Sequence, residues 1–137
     1  VKYRSVKGYK YASVGETKFQ TDLFGHSIDT EYANLNSSGL LTIKDRYHSD
    51  GPSGVSIDTK NFMQGAFAHD CLYGLIRMRL LPITAKGNAD RFLREQCLRD
   101  GMSRFRAWYV YQAVKYFGGS SCVPGSQDFE PEIFEAP

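Results

Sequence analysis

A histidine and an aspartate stand side by side at His69-Asp70, a tyrosine follows one helical turn later at Tyr73, and a second aspartate arrives at Asp90. An imidazole takes a proton from water at neutral pH, and a carboxylate bonded to its far nitrogen holds the ring in one orientation and tautomer. If the chemistry is catalysis, His69, Tyr73 and Asp90 carry it. The same side chains also suit a buried polar knot, in which ring nitrogens, hydroxyl and carboxylate satisfy one another. Both readings require His69 and Asp90 to face each other from two adjacent helices.

The elements that must position them begin at Thr59, where the apolar period becomes helical. A first helix is expected over about 60–80, stopping before Pro82. A second runs from an Asn88 N-cap to Asp100-Gly101, and a third from a Ser103 N-cap to Gly118-Gly119. At 100° per residue Leu72, Tyr73, Ile76 and Leu80 surround His69, so its ring points at the core. Asp70, Gly74 and Arg77 form a narrow polar edge, which turns Asp70 toward a rim. On the second helix Ala89, Phe92, Leu93, Gln96 and Cys97 make the apolar face. Asp90 lies at its edge, in the first turn, where the helix N-terminus favours a carboxylate. The third helix packs through Phe105, Tyr109, Val110, Ala113, Val114 and Phe117. Arg106 falls in the middle of that face and needs Asp70, Asp90 or Asp100 as partner. Trp108 and Tyr111 share the opposite face with Arg104 and Lys115, as a contact surface would.

Residues 1–58 read as strand and loop. Weak alternation marks 2–6 and 9–14, a hairpin over 34–43 turns at Ser37-Ser38-Gly39, and Gly, Ser and Asp make a loop of 49–56. Strands first and helices afterwards predict one α+β domain over 1–118: a small N-terminal antiparallel β region (1–58) and a three-helix C-terminal cluster (59–118).

Residues 119–137 are expected to form an extended acidic C-terminal tail. All 17 Lys and Arg lie at or before Lys115, whereas Asp128, Glu130, Glu132 and Glu135 lie in the last twenty residues. The tail therefore carries −4 and the rest of the chain +6, within a net charge of +2. Phe129, Ile133 and Phe134 give the tail hydrophobic hooks for docking on its own domain or a neighbour. The basic residues of the body are scattered and match no nucleic-acid motif, so no nucleic acid is expected as partner. No apolar run approaches the roughly 20 residues of a membrane span, and no secretory signal opens the chain, so stable membrane insertion is not expected. Three cysteines, Cys71, Cys97 and Cys122, are an odd number without CxxC spacing. They argue against a disulfide scaffold or zinc site and for inert thiols folded in a reducing compartment.

The segment Asp50-Gly51-Pro52-Ser53-Gly54-Val55-Ser56-Ile57-Asp58-Thr59-Lys60-Asn61-Phe62, the HDxxY of His69 to Tyr73, Ala89-Asp90-Arg91-Phe92 and Arg106-Ala107-Trp108-Tyr109-Val110-Tyr111 together resemble a phage and prophage family of unknown function. The resemblance covers residues 47–119 and implies phage origin. With the docking tail and the aromatic helix face, it leads to the expectation of a structural or assembly component of the virion. Such a component meets other phage structural proteins, or copies of itself, in the host cytoplasm during assembly and in the virion afterwards. It needs no cofactor.

The HDxxY core with its distant Asp also resembles the phospholipases A2. That resemblance implies a calcium-dependent lipid hydrolase with His69 as general base, Asp70 as calcium ligand and Tyr73 with Asp90 as the pair orienting the histidine. The Gly51–Gly54 loop would add carbonyl oxygens, the ligand type calcium prefers.

Overall fold

The computed structural model describes residues 3–6, 9–13, 15–45, 47–49 and 60–122. Strands β1 (Tyr3–Val6), β2 (Tyr9–Ser13), β3 (Thr17–Gln20), β4 (Ile28–Asp29), β5 (Ala33–Leu35), β6 (Leu40–Ile43) and β7 (His48–Ser49) precede helices α1 (Lys60–Arg77), α2 (Ala85–Arg99) and α3 (Arg104–Phe117). The chain is thus α+β, with its antiparallel strands ahead of three helices. The loop expected over 49–56 lies outside the described residues from 50 onward, as does the tail from 123 to 137 with Phe129, Ile133 and Phe134.

Strands β1, β2 and β7 form one antiparallel sheet, and β3, β6, β5 and β4, in that order, form the other. The register of the second sheet explains its core face. Phe19 pairs with Leu41, Leu41 with Leu35, and Leu35 with Ile28, so one apolar row crosses four strands and all four residues are buried. Side chains two apart share a face of a strand, so Ala33 and Ile43 extend the same surface. Helices α1 and α2 close over it, and Phe19 meets Phe92 of α2 edge-on at 5.9 Å between ring centres.

Helix α1 is the central element. Met63, Phe67, Leu75 and Ile76 join the core beneath the sheet, while Phe62 and Ala66 join a second core with Leu93 and Cys97 of α2 and Ala107, Val110 and Val114 of α3. The first helix ends earlier than its pattern suggests. Leu80 N–H donates to the Leu75 carbonyl and Arg79 N–H to that of Ile76, with Arg79 left-handed at φ 62°. This is a Schellman turn with arginine in the usual glycine place. Leu80, expected beside His69, therefore sits outside the helix and is exposed.

The second helix starts earlier than expected. Ala85 and Lys86 donate to the carbonyls of Pro82 and Ile83, so the turn after Pro82 already winds into the helix. Asn88 is not the N-cap; its amide donates to Asp22 instead. The Ser103 cap is as expected, its hydroxyl accepting from Arg106 N–H at 3.2 Å. At the far end of α3, Gly119–Cys122 make a short 3-10 turn and Cys122 is buried in the main core. The first four residues assigned to an extended tail thus belong to the folded body.

The β5–β6 hairpin turns where the sequence places it, through Asn36–Gly39. Asn36 Oδ1 accepts from the N–H groups of Ser38 and Leu40, and Gly39 adopts φ +85° with its carbonyl bonded to both N–H and hydroxyl of Thr21. A Cβ on Gly39 would lie 2.5 Å from the Thr21 carbonyl oxygen. Gly39→Ala is therefore expected to destabilise the domain by roughly 1–3 kcal/mol, read as a lowered urea midpoint at unchanged slope.

Candidate functional site

Helices α1 and α2 approach closely because Gly65 has no side chain: a Cβ there would lie 3.0 Å from a Leu93 methyl and 3.4 Å from Cys97 Sγ. From that contact the stripe Gly65, His69, Tyr73 on α1 runs antiparallel to Lys86, Asp90, Leu93, Cys97 on α2. These are i, i+3 and i, i+4 neighbours on one helix face. His69 consequently meets Asp90, and Tyr73 meets Asp90 and Lys86.

The contacts converge on one carboxylate. Asp90 Oδ1 bonds His69 Nε2 at 2.8 Å and accepts from the Tyr73 hydroxyl at 2.5 Å. Asp90 Oδ2 accepts from Lys86 Nζ at 2.7 Å, and the same ammonium reaches the Val114 and Lys115 carbonyls at the end of α3. His69, Tyr73 and Asp90 are each buried, the histidine to 1% exposure. The expected pairing of His69 with Asp90 is therefore present. Since the carboxylate only accepts, Nε2 is the protonated nitrogen, and the lone pair of a neutral ring lies on Nδ1. Among the described residues Nδ1 has no hydrogen-bond partner.

Burial by itself raises the Asp90 carboxyl, but the His69 bond and charge, then Lys86 and Tyr73, outweigh it and hold it below the usual carboxylate range. Burial, then Asp90, pushes the Tyr73 hydroxyl far up, so it stays a donor. Gly118 makes room for that hydroxyl: a Cβ would lie 2.6 Å from it. At φ −83° this glycine serves close approach, not a left-handed turn.

Several expected placements are corrected. Asp90 stands past the first turn of α2, so Lys86 rather than the helix N-terminus is its cation. Arg106 is half-buried and makes no ion pair among the described residues. Asp100, one of its suggested partners, accepts from Gln64 and Gln96 instead. Asp70 does not face a solvated rim. It is buried and accepts from the Tyr47 hydroxyl at 2.6 Å. The Gly51–Gly54 loop lies outside the described residues, and among the described ones no group of three or more metal-ligating side chains comes together. Asp70 is then the one described side chain that the lipase resemblance assigns to calcium.

Trp108 is exposed as expected and stacks on Phe105 at 6.2 Å. Tyr111 is half-buried beneath the Arg94 guanidinium, 4.7 Å from its ring centre. Phe105, Tyr109 and Phe117, expected in the packed face, point outward. The buried face of α3 is instead Ala107, Val110, Ala113 and Val114, because Phe62 and Leu93 supply the bulk at that contact and small residues let the helices close. The three cysteines are free and buried, and burial pushes Cys97 up to about 12 and Cys122 up to about 11.

No protein-family model, no curated protein and no solved structure matches this chain. What the site does must come from its own geometry. Two clefts are described. The larger, of about 500 Å³, is lined by residues from Ile76 to Ile83 and by Cys122; the other, of about 300 Å³, lies between β3 and α2. Neither is lined by His69, Asp70, Tyr73 or Asp90. Lys86 is the member of the cluster that sequence reasoning missed. Its i, i+4 spacing to Asp90 is legible once the helix begins at Ala85.

A carboxyl lowered by folding stabilises the fold above its unfolded pKa, and that contribution drains away as pH falls through the folded value. Asp90→Asn leaves Lys86 without its charge partner and removes the carboxylate that accepts from His69. The expected loss is about 3–5 kcal/mol at pH 7. The gap between wild type and variant should narrow as pH drops below about 4, and urea unfolding across that range tests both points.

Proposed function

We propose that the chain is a structural or assembly component of a phage particle, acting by protein–protein contact. The observation that supports it most is the outer face of α3. Phe105, Tyr109 and Tyr116 fall at i, i+4 and i+11, a seam-like stripe opposite the buried Ala107, Val110 and Val114. Trp108 flanks it and Phe117 ends it, and the five rings are 54–74% exposed. Aromatic side chains carry roughly 150–250 Å² each, so the ridge presents on the order of 600 Å². The ridge lies at the upper end of the range for the largest patch on a typical monomer, about 300–600 Å² and often functional, and each partner in a standard interface contributes about 800 Å². The sealed His69 agrees with this reading, because water must reach a general base. Phage origin rests on the sequence resemblance. Phe105→Ser, Tyr109→Ser and Tyr116→Ser together should leave the melting temperature within a few degrees of wild type and exclude the protein from purified particles. Normal incorporation of that variant would overturn the reading.

One observation favours a second reading, a phospholipase A2-like lipid hydrolase dependent on calcium. Asp90 holds Nε2 and leaves Nδ1 without a partner among the described residues, the arrangement of a base awaiting water. In that role Nδ1 takes a proton as water attacks an ester carbonyl, and Asp90 stabilises the imidazolium while Lys86 and Tyr73 keep the carboxylate in place. The discriminating assay is calcium-dependent release of fatty acid from phospholipid vesicles, with His69→Gln as control. The assembly reading predicts no turnover with or without calcium, and a His69→Gln effect on stability alone. The hydrolase reading predicts turnover that His69→Gln abolishes in a still folded protein.

A further inference from the structure

We propose that the acidic C-terminal segment of one copy, residues 123–137, docks on the aromatic ridge of α3 in a neighbouring copy. The choice of a neighbouring copy rests on the assembly reading above. The chemistry of the two surfaces is complementary. Helix α3 carries Arg104, Arg106 and Lys115 and no acidic residue. Arg104 and Lys115 are exposed and fall on the Trp108 side of the ridge, and Lys115 Nζ lies 5.5 Å from the Tyr116 ring centre. The segment has the opposite character: Asp128, Glu130, Glu132 and Glu135 with no Lys or Arg.

Its apolar residues fit the ridge in spacing as well as in kind. In an extended chain Phe129, Pro131 and Ile133 share one face while Asp128, Glu130 and Glu132 take the other. The residue before a proline is disfavoured from the helical region, so the sequence Glu130-Pro131 suits that form. Residues 129–133 then span roughly 13 Å, within the roughly 16 Å that Phe105 to Tyr116 span on a helix. The apolar face would lie along the rings, and the long side chains of Arg104 and Lys115 would reach its acids from the flank of the ridge. A segment from one copy on the ridge of the next is a head-to-tail contact, which builds rings or open chains.

Trp108 is the only tryptophan of the chain and lies in the ridge, so its emission reports occupancy directly. Full-length protein is concentrated while Trp108 emission and sedimentation are followed. The expected result is a blue shift that grows with concentration together with larger species, weakened several-fold by added salt. Phe129→Ser, Ile133→Ser and Phe134→Ser combined should lower the association constant at least tenfold, with circular dichroism melting unchanged. A decisive mixture pairs this segment variant, whose ridge is intact, with a full-length ridge variant (Phe105→Ser, Trp108→Ser). Each alone should remain monomeric, and together they should form heterodimers with Trp108 of the segment variant shifted to the blue. Self-association of the segment variant would mean ridge-to-ridge contact and overturn the proposal. A blue shift that depends on the segment but not on concentration would place the segment on its own ridge and overturn it too, as would a wild-type chain that stays monomeric with exposed Trp108. Failure of this contact alone leaves the segment variant incorporated into particles. Failure of the assembly reading leaves even the α3 ridge variants incorporated.

Discussion

The Asp90 carboxylate is the interaction on which the helical half of the molecule depends. Three donors from three positions meet its two oxygens: an imidazole and a phenol from α1 and an ammonium from its own helix. A carboxylate in a nearly dry interior loses its hydration, and only such a full set of partners makes its burial tolerable. Lys86 extends the arrangement to α3 by donating to the last carbonyls of that helix, whose C-terminal end is its negative pole. Removing any member strands another in apolar surroundings. One hydrogen-bonded carboxylate therefore fixes how α1, α2 and α3 are set against each other.

The arrangement is possible because side chains are absent where backbones must meet. Gly65 lets α1 and α2 approach until His69 reaches Asp90, and Gly118 leaves space above the Tyr73 hydroxyl. Helix α3 contributes alanines and valines to the interface while its partners contribute Phe62 and Leu93. Close approach shortens the polar contacts, and the polar contacts in turn lock the approach. The sheet depends on a simpler device, the apolar row from Phe19 to Ile28, with no ionised group in it.

The polar cluster is thus buried between the helices, while the aromatic surface of α3 faces outward. The His69, Asp90 and Tyr73 cluster is sealed, whereas Phe105, Trp108, Tyr109, Tyr116 and Phe117 stand in solvent. These facts pull function in different directions. A sealed, fully occupied carboxylate suits a rigid scaffold, and an aromatic ridge suits recognition. His69 Nδ1, without a partner among the described residues, is the one feature of the cluster that a purely structural role does not require.

Sequence period and turn chemistry by themselves determined the α+β class, the hairpin through Gly39, the Ser103 cap and the convergence of His69, Tyr73 and Asp90. These follow from local rules: i, i+4 spacing, the preference of serine for a cap, and the freedom of glycine at positive φ. Tertiary structure decided what local rules leave open. A Schellman turn at Arg79 ended α1 before Leu80, and the Pro82 turn started α2 early enough to bring Lys86 beneath Asp90. Tyr47, distant in sequence, drew Asp70 into the interior. The rotation of α3 went against its most hydrophobic face, because the space left by Phe62 and Leu93 admits valine and alanine but not phenylalanine. Periodicity measures how apolar a face is; only the shape of the neighbouring helices determines which apolar face fits.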